Sequence, residues 1–283
     1  VRRVGTGRGA VKGQWLAMHM DVDALAFTGS GNVGRSLLES AARSNLKRVY
    51  LELGGKSPNI VFADAKNLDA VAKAAAQGIF RNSGQVCVAS SRLIVEKSIA
   101  KSFVAKVAEF ATSMRVGNPL EIATDIGAVC NRRQLERNLS YVETASAEGA
   151  KLQIGGNRIA EETGGFYMAP TIFTGVTSDM TIAREEVFGP ILSVLEFEGA
   201  DQAAAIANAT PYGLSAAVWT ADLTTAYKMV RAIRSGVVNV NCTSGSDITV
   251  PLGGVKQSGN GQDKSLHAFD KFTDLKTAWF SLD

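Results

Sequence analysis

A carboxylate and a thiol frame one glycine-punctuated stretch of this chain. Glu52 stands in Leu51-Glu52-Leu53-Gly54-Gly55-Lys56-Ser57-Pro58, and Cys87 closes Asn82-Ser83-Gly84-Gln85-Val86-Cys87. Brought together, they would make a nucleophile and a general base: a thiolate attacks an electrophilic carbon, and a carboxylate takes a proton from the thiol or from water. An isolated cysteine is more often a small buried hydrophobe, so the pairing depends on the elements that carry the two segments. Few other candidates exist. Cys130 and Cys242 are widely spaced and form no CxxC pair, and His19 and His267 are the only histidines. No disulfide framework, metal site or histidine-based triad is expected, and these four residues read as packing or surface positions.

The hydrophobic pattern places both segments in an alternating chain of strands and helices. Ala24–Thr28, Arg48–Leu53 and Asn59–Phe62 read as strands, and a helix runs from about Val33 to Ser44. Val71, Ala75 and Ile79 mark one face of a helix between Asn67 and Asn82, with Gly84 as a left-handed cap, so Cys87 lies in the loop that leaves it. Further strands are expected at Arg92–Val95, Ile191–Phe197, Ser215–Trp219 and Val237–Val240. Helices are expected at Ile99–Met114, Asn131–Glu148, Asp201–Ala209 and Asp222–Arg234. This alternation predicts an α/β fold with parallel-rich sheets flanked by helices. Leu275–Leu282 has strand character and no partner nearby in sequence.

Gly29-Ser30-Gly31-Asn32-Val33-Gly34 follows a predicted strand and opens a predicted helix, satisfying GxGxxG. Such a loop offers free N–H groups and a positive helix end to a pyrophosphate. A dinucleotide site of this kind also places an acidic residue about 20 positions on, against a ribose hydroxyl. Glu52 stands there too, so spacing alone leaves it two tasks: cofactor ligand or general base.

Composition narrows the partners. The 283 residues are 46% hydrophobic and 20% charged, with a net charge of +3 and no basic run. No nucleic-acid partner is expected. No apolar stretch reaches membrane-spanning length, and Val1-Arg2-Arg3-Val4 lacks the apolar core of a signal peptide, so a cytoplasmic protein is expected.

Six ordered segments are more specific than the glycines: Phe27-Thr28-Gly29-Ser30, Leu51 to Pro58, Gly84 to Cys87, Glu185-Glu186-Val187-Phe188-Gly189-Pro190, Tyr212-Gly213-Leu214, and Gly253 to Gly259. Together the series resembles the aldehyde dehydrogenase family, and its last part, Thr249 to Thr277, is similar to the gamma-glutamyl-gamma-aminobutyraldehyde dehydrogenases. The resemblance implies NAD(P)-dependent oxidation of an aldehyde, here an aminoaldehyde of polyamine breakdown, to a carboxylic acid. Cys87 would form a thiohemiacetal and then a thioester, its own N–H serving as an oxyanion donor, and Glu52 would activate the hydrolytic water. The resemblance gives the ribose-binding carboxylate to Glu186, with Phe188 beside the nicotinamide and Ser30 at the pyrophosphate, which frees Glu52 from that task. Gly29, Gly34, Leu53 and Gly54 complete the implied cofactor site; Glu185 reads as structural, and Lys56 as a member of an ordinary salt bridge.

The chain also departs from the family pattern. The segment that carries a second oxyanion donor, an asparagine, and a lysine for the adenosine ribose has no counterpart here, so an N-terminally truncated fragment is expected. Residues 1–54 would be the remainder of a dinucleotide-binding domain, 55–260 a catalytic domain, and 261–283 a C-terminal helix and oligomerisation strand of a homodimer or homotetramer. Arg81, Val86, Val88 and Leu252 would line the substrate pocket. Arg81 and Leu252 stand where relatives carry aromatic residues, which predicts a range shifted toward acidic-tailed aldehydes. Two rival functions remain: a thiol esterase that needs no cofactor, and a catalytically silent chain that acts only in assembly.

Overall fold

The computed structural model describes residues 4–243 and 247–283, so part of the opening Val1-to-Val4 segment lies outside the described residues. The chain begins with α1 (Gly9–Met18), β1 (Ala24–Thr28), α2 (Gly31–Ala42) and β2 (Arg48–Glu52). Next come β3 (Pro58–Val61), α3 (Leu68–Phe80), β4 (Arg92–Glu96), α4 (Ala100–Ser113) and α5 (Arg132–Ala147). A short excursion, β5 (Lys151–Ile154), β6 (Arg158–Ile159), β7 (Tyr167–Met168) and β8 (Thr171–Thr174), leads to α6 (Thr181–Arg184). The last elements are β9 (Ile191–Phe197), α7 (Ala200–Asn208), β10 (Ser215–Trp219), α8 (Leu223–Ala232) and β11 (Val237–Val240). Several helices start on side chains that accept from their own first turn: Ser30, Asn67, Asn131 and Asp222.

Seven strands form one sheet in the order β11-β10-β3-β4-β9-β8-β5, parallel except for the antiparallel β5–β8 edge. Its central strands are covered on both faces, which explains their continuous apolar runs. Val61, Leu93 and Val95 pack beneath α3 and α4. Ile60, Ile94 and Phe197 point the other way, against Ala203 and Ala207 of α7 and Met229 of α8. Strands β1 and β2 pair in parallel as a separate sheet, packed on Leu37 and Ala41 of α2.

Residues 272–283 form no strand within the chain, and Leu275, Trp279, Phe280 and Leu282 are exposed; the expected oligomerisation strand would need a partner edge outside this chain. The predicted C-terminal helix is a 3-10 turn over Leu266–Lys271. What sequence reasoning missed is that residues 258–261 run along the free edge of β2. The Leu53 amide donates to the Ser258 carbonyl, and the Asn260 and Gly261 amides donate to that of Leu51. The Asn260 side chain completes the seam, accepting from the Leu51 amide and donating to the Val49 carbonyl.

Candidate active site

The C-terminal ends of β1 and β2 meet the N-terminal ends of β3, β4, β9 and β10. Gly29 and Glu52 lie at the first pair of strand ends, and Lys56, Cys87, Phe188 and Tyr212 lie in the segments just before the other four. Glycines make this convergence possible. A side chain at Gly54 would overlap the Glu186 carboxylate, and one at Gly55 would overlap the Cys87 carbonyl. The Gly55 amide donates to Glu186 Oε1 at 3.0 Å. Glu52, Gly54, Glu186 and Cys87, far apart in sequence, are therefore brought into one cluster.

The Cys87 loop is held in an unusual form. Helix α3 ends at Phe80, and Asn82, Ser83 and Gly84 all take left-handed backbone (φ 53°, 54° and 67°), so the predicted cap is a run of three residues. Ser83 Oγ donates to the Gly127 carbonyl, and Gln85 Oε1 accepts from the Cys130 amide at 2.8 Å. Gly84 abuts the Gly189 carbonyl too closely for any side chain. The loop carrying Glu186 is gripped in turn by one stripe of α5. Gln134 donates to the Val187 and Phe188 carbonyls, Arg137 to the Glu186 carbonyl, and Tyr141 to the Glu185 carboxylate. Spacing of 134, 137 and 141 puts these side chains on one helix face. Glu185 is thereby a structural anchor, as expected.

Burial sets the electrostatics. Glu52 is 8% exposed, and its Oε1 is buried with no hydrogen-bond partner. Desolvation, then the charge of Asp263, push its carboxyl up to about 7, against the Gly254 amide and Lys271. The Cys87 thiol is also pushed up, first by burial and then by Glu186, with Glu52 adding to it; the amides of Cys87 and Val88 face the sulfur and oppose the shift. Burial raises Glu186 as well, opposed by the Gly55 amide, Lys56 and Arg137. Lys56 makes no ordinary salt bridge: it is 2% exposed, and its Nζ has no hydrogen-bond partner. Desolvation and neighbouring Arg92 pull Lys56 down to about 7, while Glu186 and Glu185 hold it up.

Beside the cluster opens a cleft of about 330 Å³, lined by Ser30, Leu53 and Glu186 together with Arg35, Arg137, Tyr212 and Lys256. The α2 N-terminus and three cationic side chains suit a diphosphate, and Glu186 offers a carboxylate to a sugar hydroxyl, so the residues present fit a dinucleotide. Arg35 donates to Gln257 at 2.9 Å beside this cleft. Of these additional lining residues, Tyr212 and Lys256 lie in two of the six ordered segments, whereas Arg35 and Arg137 carry no motif signal in the sequence. Gly34 does not line the cleft: it lets α2 approach the side chains of Leu51 and Leu53. Gly29 sits against the Phe27 ring, its amide bound to the Glu52 carbonyl.

The expected substrate-pocket residues separate. Val86 shares a small pocket with Glu186 and Phe188, and Val88 is half-buried next to Cys87. Arg81 is exposed at the end of α3. Leu252 pairs with Asp263 in a short antiparallel bridge. Among the described residues no cluster of three metal-ligating side chains occurs, and no helix is long and apolar enough to cross a membrane.

A thiol, a buried carboxylate and a cation-lined cleft meet at the junction of two parallel-rich sheets in an α/β protein. Residues 1–278 match the Aldehyde dehydrogenase family, and the chain belongs to it. It is 48% identical to the NADP/NAD-dependent aldehyde dehydrogenase PuuC of Escherichia coli, over 100% of this chain and 56% of that protein. A Pseudomonas syringae indole-3-acetaldehyde dehydrogenase, AldA, solved with NAD+, superposes with a TM-score of 0.96 at 54% identity, over 98% of this chain and 56% of that one. The gamma-glutamyl-gamma-aminobutyraldehyde dehydrogenase of Burkholderia cenocepacia superposes with a TM-score of 0.91 at 52% identity, over 93% of this chain and 53% of that one. The chain thus spans about half the length of the relatives it matches.

Proposed function

We propose that this chain carries the catalytic thiol and general base of an NAD(P)-dependent enzyme oxidising an aldehyde to a carboxylic acid. The supporting observation is the Gly54-Gly55 clasp, which joins the Glu52 strand end to the Glu186 carboxylate and the Cys87 backbone. The Cys87 thiolate adds to the aldehyde carbon and gives a thiohemiacetal, the amides of Cys87 and Val88 steadying the sulfur before attack. A nicotinamide dinucleotide, when bound, would supply the hydride acceptor for the oxidation. Ser30, Leu53, Gly54, Glu186 and Phe188 would hold it, assisted by Arg35, Arg137 and Lys256. The remaining thioester is hydrolysed: Glu52 takes a proton from water, the hydroxide adds to the acyl carbon, and the Cys87 thiolate leaves. With its carboxyl near pH 7, Glu52 is poised to accept that proton at neutral pH.

The same proposal divides the chain at about residue 54, where the polypeptide leaves β2 for the larger sheet, with 261–283 as a tail engaged in assembly. An aminoaldehyde of polyamine breakdown is the proposed substrate, supported by likeness to the Burkholderia cenocepacia enzyme. Aldehyde-dependent NAD(P)H formation, compared for an aminoaldehyde and indole-3-acetaldehyde, tests this choice. Preference for the indole compound would refute it. Glu52→Gln tests the mechanism: cofactor affinity should be retained while the thioester accumulates. Weakened cofactor binding with unchanged hydrolysis would make Glu52 a ribose ligand instead.

A further inference from the structure

Helix α5 buries Leu135, Asn138, Tyr141 and Ala145. Leu135, Tyr141 and Ala145 belong to one apolar cluster, and the Tyr141 hydroxyl donates to Glu185. Asn138 is the exception. Its side chain is fully buried, and its Nδ2 has no hydrogen-bond partner among the described residues. A buried amide nitrogen without an acceptor destabilises a fold, so an apolar side chain would serve packing better here. What Asn138 does make is a pair of contacts with the loop of residues 186–189. Its Oδ1 accepts from Gln134 Nε2 at 2.8 Å, and the same nitrogen donates to the Val187 and Phe188 carbonyls at 2.9 and 3.2 Å. Two amide hydrogens thus serve three acceptors. Turning the Asn138 amide over would set donor against donor, so its oxygen must face Gln134. The second contact is with Gly189. A β-carbon at Gly189 would fall on the Asn138 amide, and one at Gly84 would fall on the Gly189 carbonyl. Gly189 is therefore clamped between α5 and the loop that leads to Cys87.

We propose that Asn138 is a positioning residue for the loop that carries Glu186 and Phe188. Its oxygen orients the Gln134 amide toward the Val187 and Phe188 carbonyls. Its contact with Gly189 sets how closely that loop closes on the Cys87 segment. Phe188 takes left-handed backbone at φ 58°, a conformation that the surrounding contacts must hold. Asn138 lines neither the large cleft nor the small pocket beside Val86, so it acts only through its neighbours. This deepens the proposed function and rests on Cys87 as nucleophile and Glu186 as cofactor ligand. The geometry it describes is present before either reacts.

The test is labelling of the full chain with iodoacetamide, followed at Cys87 by mass spectrometry, with the exposed Cys242 as internal standard. Asn138→Leu loosens the loop over Cys87 and should speed its labelling about threefold or more, the scale on which contacting residues couple. The rate at Cys242 should not change. The urea midpoint of Asn138→Leu should equal or exceed that of the parent, because the unpartnered amide is gone. Gln134→Leu should also speed labelling, and the double variant should show less than the product of the two effects. An unchanged Cys87 rate, or independent effects in the double variant, would overturn the proposal. So would a lowered urea midpoint, which would make Asn138 a packing residue. Labelling needs neither cofactor nor aldehyde, so a chain that fails to oxidise aldehydes still answers this question. Altered labelling without turnover would count against the proposed function alone.

Discussion

The Gly55 amide donates to the Glu186 carboxylate at 3.0 Å, while the α-carbon of the same glycine rests on the Cys87 carbonyl. One residue therefore links the Glu52 strand end, the Glu186 carboxylate and the Cys87 loop. Glycine is required because a β-carbon would occupy the space of a backbone oxygen.

Gly55→Ala should accordingly destabilise the fold by about 2–4 kcal/mol. Gly54→Ala should cost less, because its methyl would meet the movable end of the Glu186 side chain. Urea unfolding of the two variants checks the order, and a larger loss at Gly54 would contradict it.

The Cys87 thiol should react with iodoacetamide with a midpoint above 9.0, since burial, Glu186 and Glu52 all disfavour the thiolate. Glu186→Gln should lower that midpoint more than Glu52→Gln does. A midpoint at or below the ordinary thiol range would show that the two carboxylates do not reach the sulfur.

Glu52 titrates near 7 in the fold and at 4.5 when free. Its folded value is raised, so its contribution to stability is full below pH 4.5 and is lost as the pH climbs toward 7. Glu52→Gln should therefore gain on the parent over that window. Above pH 7.5 the gain should be about 1–2 kcal/mol relative to pH 4, after allowance for solvent screening. Thermal melts at pH 4 and pH 8 measure it, and a pH-independent difference would refute it.

Lys56 has the opposite sign. Its folded value is depressed from 10.5 to about 7, so its favourable contribution is present above 10.5 and lost as the pH falls through 7. Lys56→Met should be most favourable relative to the parent at pH 6, and that advantage should shrink by about 2 kcal/mol toward pH 10. A flat difference between the two melts would show that Lys56 is solvated or paired.

Much of this protein is determined locally. Strands such as Ile191–Phe197 and Ser215–Trp219 begin and end where their hydrophobic runs do, because a strand covered on both faces must be largely apolar. Gly54-Gly55, Cys87 and Glu186 were legible as motifs, since close backbone approach and a reactive thiol each demand a particular residue type. What tertiary structure alone decided are relations between distant segments. The pairing of 258–261 with β2 and the Asp263–Lys271 ion pair leave no periodicity in the chain. The exposed tail and the unpartnered Lys56 show the same limit from the other side. A strand needs a second edge and a salt bridge a second charge, and whether either partner arrives depends on the packing of the whole chain.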